Sequence, residues 1–382
     1  MKRTLILIVG LGLFLLPQAA QATWTKSQRL TWNSGDSAYP AIAVDFSGGV
    51  HVVWHDNTPG NNEIFYKKST NAGATWTTNK RLTWTPAHSF KPAIAIDPSG
   101  YIHIVWLDYP MGNSEICYTR STDGGATWAA AKRLTWTSGD SEIPAIAADS
   151  SGNLHVVWSD SAPGNWEIYY KKSLDGGATW GAAQRLTWTS SNSFVPAIAV
   201  DPFGNPHVVW YGDQAGNTQV YYKKSTNGGA TWAATQRLSW TSGGSYFPAI
   251  DVDSLANLHV VWHDYSPGFP EVYYKKSTNV GSTWTTSKRL SWTASYSMAP
   301  AIAAGSSGKL HVVWYDTTPG NNEIYYMIST DWGASWAAAQ RLTWTSGDSE
   351  DPAMSVDSSG SIHVVWDDET PGNLDIYYKV SK

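Results

Sequence analysis

Pro144-Ala-Ile-Ala-Ala-Asp149, Leu154-His-Val-Val-Trp158, Glu167-Ile-Tyr-Tyr-Lys-Lys-Ser173, Asp175-Gly-Gly-Ala-Thr-Trp180 and Gln184-Arg-Leu-Thr-Trp188 follow one another along a single stretch of the chain, and the same paragraph recurs throughout it. Its landmark, Arg-Leu-(Thr/Ser)-Trp, begins at Arg29, Arg81, Arg133, Arg185, Arg237, Arg289 and Arg341, always 52 residues apart. Within one repeat, Pro40 to Asp45 is a short run of small apolar residues closed by Phe46-Ser47-Gly48-Gly49, which predicts a buried strand A and a turn. Val50 to Asp56, rich in β-branched and aromatic residues, predicts strand B, and the loop Asn57-Thr58-Pro59-Gly60-Asn61 ends it. Glu63 to Lys68 predicts strand C, and Thr78 to Trp84 strand D. A helical apolar period never persists, so essentially no helix is expected.

Four short antiparallel strands repeated at this period are the pattern of a propeller blade. Pro-Ala-(Ile/Met) recurs seven times, from Pro40 to Pro352, so the expectation is an all-β, seven-bladed propeller. The blades span about 39–84, 91–136, 143–188, 195–240, 247–292, 299–344, and 351–382 completed by 23–32. In this reading the stretch from Trp24 to Trp32 supplies strand D to the last blade and closes the ring without an exposed edge.

Residues 1–22 read as a secretory signal: Lys2 and Arg3, the apolar run Leu5 to Leu16, then Ala20-Gln21-Ala22. No later stretch reaches the roughly 18 apolar residues of a membrane helix. The expected protein is therefore extracellular or periplasmic, one domain over 23–382, and a monomer. The formal charge is −5. It becomes −7 without Lys2 and Arg3, and no basic stripe suits nucleic acid. The single cysteine, Cys117, stands where other repeats have Phe or Tyr, and reads as a buried apolar residue.

The turn before strand D, Ser-x-Asp/Asn-x-Gly-x-(Thr/Ser)-Trp, resembles the Asp box, or BNR repeat, of the sialidase-like propeller superfamily. Its acidic or amide position is Asn71, Asp123, Asp175, Asn227, Asn279 and Asp331. The resemblance implies a structural turn on the face opposite the active site. It also implies a sialidase site with three arginines clamping a carboxylate, a Tyr/Glu nucleophile pair and an Asp acid/base. The first arginine would fall two residues before the strand-A proline, where this chain has Ala38, Phe90, Glu142, Phe194, Tyr246, Met298 and Glu350. None is arginine, and one arginine per blade near the rim does not converge as a carboxylate clamp must. No catalytic residue is therefore assigned.

The repeating histidines, His51 to His363, lie too far apart from blade to blade to share a zinc ion and read as buried hydrogen-bonded groups. Trp54, Trp84 and their copies read as inter-blade core, with sugar stacking the other role open to them. The B–C and D–A loops vary most, as at Trp166, Tyr109-Pro110-Met111, Gln214-Ala215 and Phe269-Pro270. The candidate ligand residues are Asp56, Asn61, Glu63, Asp160, Asn165, Trp166, Glu167, Asp316, Asn321 and Glu323. Such carboxylates and amides suit sugar hydroxyls or a Ca²⁺ ion; capping of strand ends and turn amides is the other role open to them. No cofactor is expected beyond that Ca²⁺ alternative. The functional expectation is a non-catalytic binding or scaffold module for a glycan or a surface protein, with a glycoside hydrolase as the alternative.

Overall fold

Each repeat folds into one four-stranded antiparallel sheet, and the computed structural model describes residues 22–214 and 216–381 in this way. The signal expected at 1–22 lies, but for Ala22, outside the described residues. In the first blade the strands are Ser37–Val44, Val50–Asp56, Glu63–Ser69 and Lys80–Arg81, paired in that order. The first strands of neighbouring blades touch around a closed circuit, which makes strand A the axial strand in all seven sheets. Among the described residues the only helical turn is a 3-10 turn at Ser306–Gly308, and no helix is long and apolar enough to cross a membrane.

The ring closes as the repeat count requires. Gln28–Arg29 pairs with Tyr377 and Tyr378 of the blade formed by Ser349–Val356, Ile362–Asp368 and Asp375–Val380. Arg29 binds the buried Asp375 at 2.5 Å, and Thr31 donates to the same carboxylate at 2.6 Å.

Strand D is shorter than Thr78 to Trp84, for a specific reason. The third strand's Ile64 N–H is met by the hydroxyl of Thr83 at 2.8 Å, where a continuing ladder would have placed a carbonyl. Thr135, Thr187 and Ser239 do the same for Ile116, Ile168 and Val220. The side-chain bond ends the ladder and the next residue turns outward. Trp84 and its copies Trp32, Trp136, Trp188, Trp240, Trp292 and Trp344 are consequently 65–75% exposed at the rim, which corrects their expected place in the core. Trp54 and its copies are fully buried, as expected.

Blades are joined by a repeated relay. His51 Nδ1 lies 2.7 Å from Tyr66 Oη, and its Nε2 lies 3.0 Å from the Asp45 carboxylate in the A–B turn. A carboxylate only accepts, so Nε2–H donates to Asp45 and Nδ1 accepts from the tyrosine. Burial holds His51, His103, His155, His207 and His363 below the usual imidazole range, hence neutral. The tyrosine then packs on the next blade's Ser-to-Trp turn, where Gly125 has φ +89° and an added Cβ would lie 2.2 Å from Tyr66 Oη. Trp128 of that turn meets the same ring edge-on at 5.0 Å. Inside the turn, Asp123 accepts from Ser121 Oγ and Thr127 N, both at 2.8 Å, and Gly125 N donates to Ser121 Oγ at 2.8 Å. Cys117 is buried, and burial pushes its thiol up to about 12.

One blade lacks an Asp in this relay. Gly305 stands in its place, and His311 Nε2 is buried with no partner. G305D is expected to stabilise the fold by about 1 kcal/mol and raise the His311 titration point from about 4, read by urea melts and imidazole NMR. Unchanged stability and titration would show that the relay contributes nothing. Deleting residues 23–32 should cost about 3–5 kcal/mol by stranding Asp375 and expose a sheet edge that self-associates, which denaturation and size-exclusion chromatography would register. An unaltered midpoint would refute the non-covalent closure.

Candidate functional site

Strand A is interrupted just before its proline, where the register with strand B slips between Ala38 and Ala41. The residue at the slip is left-handed in every blade: Tyr39, Lys91, Ile143, Val195, Phe247, Ala299 and Asp351 have φ between 46° and 52°. Such a conformation is costly for a β-branched residue, and Ile143 and Val195 adopt it all the same. Its effect is to turn this residue toward the axis. Tyr39, Lys91, Ile143, Val195, Phe247 and Asp351, with three of the prolines, line an axial cavity of about 240 Å³.

A second ring stands behind the first. The strand-A residue before the slip pairs with the strand-B residue after the buried tryptophan, giving Ala38/His55, Phe90/Leu107, Glu142/Ser159, Phe194/Tyr211, Tyr246/His263, Met298/Tyr315 and Glu350/Asp367. The strand-B member supports the first ring of the next blade. Tyr39 N donates to Asp367 Oδ2 at 3.0 Å, and Val195 N to Ser159 Oγ at 3.2 Å.

The mouth is two-sided. On one side, Tyr211 meets Tyr246 edge-on at 5.3 Å, and Phe247 stacks on His263 at 5.6 Å, with Phe247 45% exposed. On the other side are three carboxyl groups. Burial, Glu350 and, in opposition, Lys91 act on Asp351, whose carboxyl is pushed up to about 6. Burial and then Asp351 push Asp367 well above the carboxylate range, and burial raises Glu350, which accepts from Asn322. Burial and the same acids push the Tyr39 phenol up to about 12. Lys91 lies 5.1 Å from the Tyr39 ring centre. Among the described residues no arginine lines the cavity, since those of the Arg-Leu repeats lie on strand D and Arg120 donates to Gly176 O.

The loop residues singled out from sequence are placed elsewhere. Asp56, Asp160 and Asp316 are buried at the end of strand B and accept from Ser37, Ser141 and Ser297 at 2.6–2.9 Å and from the loop amides of Thr58, Ala162 and Thr318 at 2.8–2.9 Å. Glu63, Glu167 and Glu323 are equally buried, held by Arg81, Arg185 and Arg341 at 2.7–2.9 Å. Asn61, Asn165 and Asn321 each donate to that glutamate at 3.1–3.3 Å and to carbonyls of the D–A loop. These oxygens and amides fasten the loops together. Trp166 differs: its ring lies 5.0 Å from Phe194, on the aromatic side of the mouth. Among the described residues no group of three or more His, Cys, Asp or Glu is placed to hold a metal ion.

The blades repeat closely along most of their length. They differ most where they converge, and position-by-position variation within the 52-residue repeat is the signal that marks those residues.

Because Asp351 keeps its proton longer in the folded state than in the unfolded chain, stability falls as pH rises from about 4 through about 6. The whole shift corresponds to about 3 kcal/mol. Asp351 is only partly buried, on the wall of the cavity, and screening there reduces the effect to about 1–2 kcal/mol. D351N should therefore be more stable than the parent at pH 8 and equal to it at pH 3.5. Parallel stability curves would refute the raised carboxyl.

No family model matches the chain, and no curated protein matches it. Solved structures do. A Dyadobacter fermentans protein of unknown function superposes with a TM-score of 0.63 at 13% identity, covering 96% of this chain and 100% of that one. A polysaccharide lyase of family PL25, an ulvan lyase, gives 0.65 at 11% identity over 91% and 94%. A Penicillium chrysogenum α-L-arabinanase complexed with arabinobiose gives 0.57 at 15% identity over 82% and 99%. A Hadza microbial sialidase gives 0.53 at 13% identity over 89% and 74%. The chain thus has the sialidase-like β-propeller fold, in its seven-bladed form.

Proposed function

We propose that this protein binds a carbohydrate in the axial mouth, as a recognition module. The observation that carries the reading is the placement of differences: repeats that agree nearly everywhere diverge at the two rings that meet on the axis. Aromatic faces opposite hydrogen-bonding carboxyl groups suit a pyranose or furanose, whose C–H faces stack while its hydroxyls are bonded. Propellers of the same fold include proteins named for arabinan, ulvan and sialic acid chemistry, which supports a saccharide ligand. The mouth offers one cation, Lys91, beside three acids that gain negative charge as they ionise, so it suits a neutral sugar better than an anionic one. The export signal read at residues 1–22 puts that ligand outside the cytoplasm.

One observation favours bond cleavage as a second reading. A carboxyl raised to about 6 keeps its proton in mildly acidic solution, where a neighbour that has ionised could act as base or nucleophile, the pairing that glycoside hydrolysis uses. Calorimetry against neutral oligosaccharides, beside a panel of chromogenic glycosides, separates the two. Binding without turnover, weakened about tenfold by F247A, supports the module. Turnover that D351N abolishes while binding persists would assign a hydrolase. Binding by F247A and D351N equal to the parent's would remove the axial mouth from function.

A further inference from the structure

The outer grooves between blades contain their own record of what fits them. In five of the seven, a lysine on strand C crosses to the preceding blade: Lys67, Lys171, Lys223, Lys275 and Lys379 donate to the carbonyls of Leu30, Leu134, Leu186, Leu238 and Leu342 at 2.5–2.7 Å. Four of these ammonium groups also lie 5.0–5.8 Å from the rim indoles of Trp136, Trp188, Trp240 and Trp344. Each of the five grooves thus takes a butyl chain and an ammonium at a backbone carbonyl, and four of them set an indole beside it.

Two repeats have lost the lysine. Its place is taken by Thr119, whose hydroxyl turns back to Ala129 O at 2.7 Å, and by Met327, which is buried. Among the described residues no side chain donates to the Leu82 or Leu290 carbonyl. The grooves at these two junctions measure about 630 and 610 Å³, against about 400 Å³ where Lys171 is retained. Trp84 and Trp292 stand exposed beside them, and among the described residues the one cation over each ring is the arginine three positions before it, Arg81 or Arg289. Each groove includes a carboxyl group, Asp108 or Asp316, and buried indole N–H groups without partners, Trp106 and Trp128 in one and Trp336 in the other. The cations on the lips are already engaged. Arg81 and Arg289 pair with Glu63 and Glu271, and Lys80 and Lys288 donate to Ala126 O and Ala334 O.

We propose that the grooves at Trp84 and Trp292 are sockets for a lysine side chain presented by a partner protein. In the Leu82 groove the stem lies where the chain's own lysines lie in the other five junctions, in the Leu290 groove it lies alongside Met327, which fills that path, and the ammonium takes the carbonyl of Leu82 or Leu290. With one socket near each of two separated junctions, a partner displaying two lysines gains by avidity what a single contact lacks.

The test titrates the full chain with Nα-acetyl-lysine methylamide, following indole N–H resonances assigned through W84F and W292F. Saturable shifts at both tryptophans are expected, and the norleucine analogue, which lacks only the ammonium, should bind at least about tenfold more weakly. T119K and M327K together supply the missing lysines from within and should abolish the shifts while the melting temperature is kept. K171T should open a third socket and add the Trp136 resonance to the responding set. Equal binding by the filled double variant, equal binding of the norleucine analogue, or no saturable shift in the parent would each overturn the proposal. A response to glucosamine but not to the lysine probe would also overturn it.

Discussion

The structure depends on the relay from aspartate through histidine to tyrosine, because that relay ends in a neighbouring blade. A propeller blade cannot bury its own faces; it needs a tight contact on each side, repeated without error around the ring. Tyr66 supplies that contact by entering a space that only glycine leaves open, at Gly125, while His51 fixes the phenol from behind. Each blade therefore positions the next through one buried phenol, and the 52-residue spacing is the sequence trace of this mechanical coupling. The Ser-to-Trp turn that resembles an Asp box is the receiving half of the joint. Its carboxylate or amide shapes the turn and its glycine admits the neighbour's ring.

A scaffold so strongly over-determined can tolerate strain on its axis. Seven non-glycine residues held near φ +50° each cost of order 1–2 kcal/mol, and no local bond repays them all. They persist because the slip before each strand-A proline is fixed on both sides by ladder pairs. What the strain achieves is directional: side chains that would alternate across a sheet are brought to one point. The same crowding raises the carboxyl groups of Asp351 and Asp367, since a narrow mouth buries them beside one another. Strain and raised acidity constants have one source, the convergence of blades.

Much of this fold was legible in the repeats. Val50 to Asp56 showed its strand through β-branched composition, and the stretch from Trp24 to Trp32 showed how the ring closes. The outer strand did not show its length, because Thr83 looks like one more strand former while its hydroxyl replaces the ladder partner of Ile64. That exchange also carried Trp84 from an expected core position to the rim. The carboxylates at Asp56 and Glu63 stood in the right loops for ligand contact, but partners such as Ser37 and Arg81 are distant in sequence and their bonds appear only when strands pair. Composition identifies a polar group; it does not tell whether the fold has already used it.

Departures from the repeat divide on that same question. Where Gly212 replaces the aspartate at the end of strand B, Gln214 reaches Ser193 Oγ at 3.1 Å and restores a partner. Where Gly305 removes the relay carboxylate, Trp332 packs close over Gly308. The first exchange restores a partner, whereas the second keeps the space filled but leaves His311 Nε2 buried without one. The loss of lysine at Thr119 and Met327 is of a different kind, because the groove stays wide, its carbonyl stays bare and its indole stays exposed. Met327 packs into the core and Thr119 bonds back to Ala129 O, so the fold loses little, while the groove outside them keeps a shape that holds a lysine at five other junctions. A repeat protein in this way displays its binding sites as gaps in its own pattern.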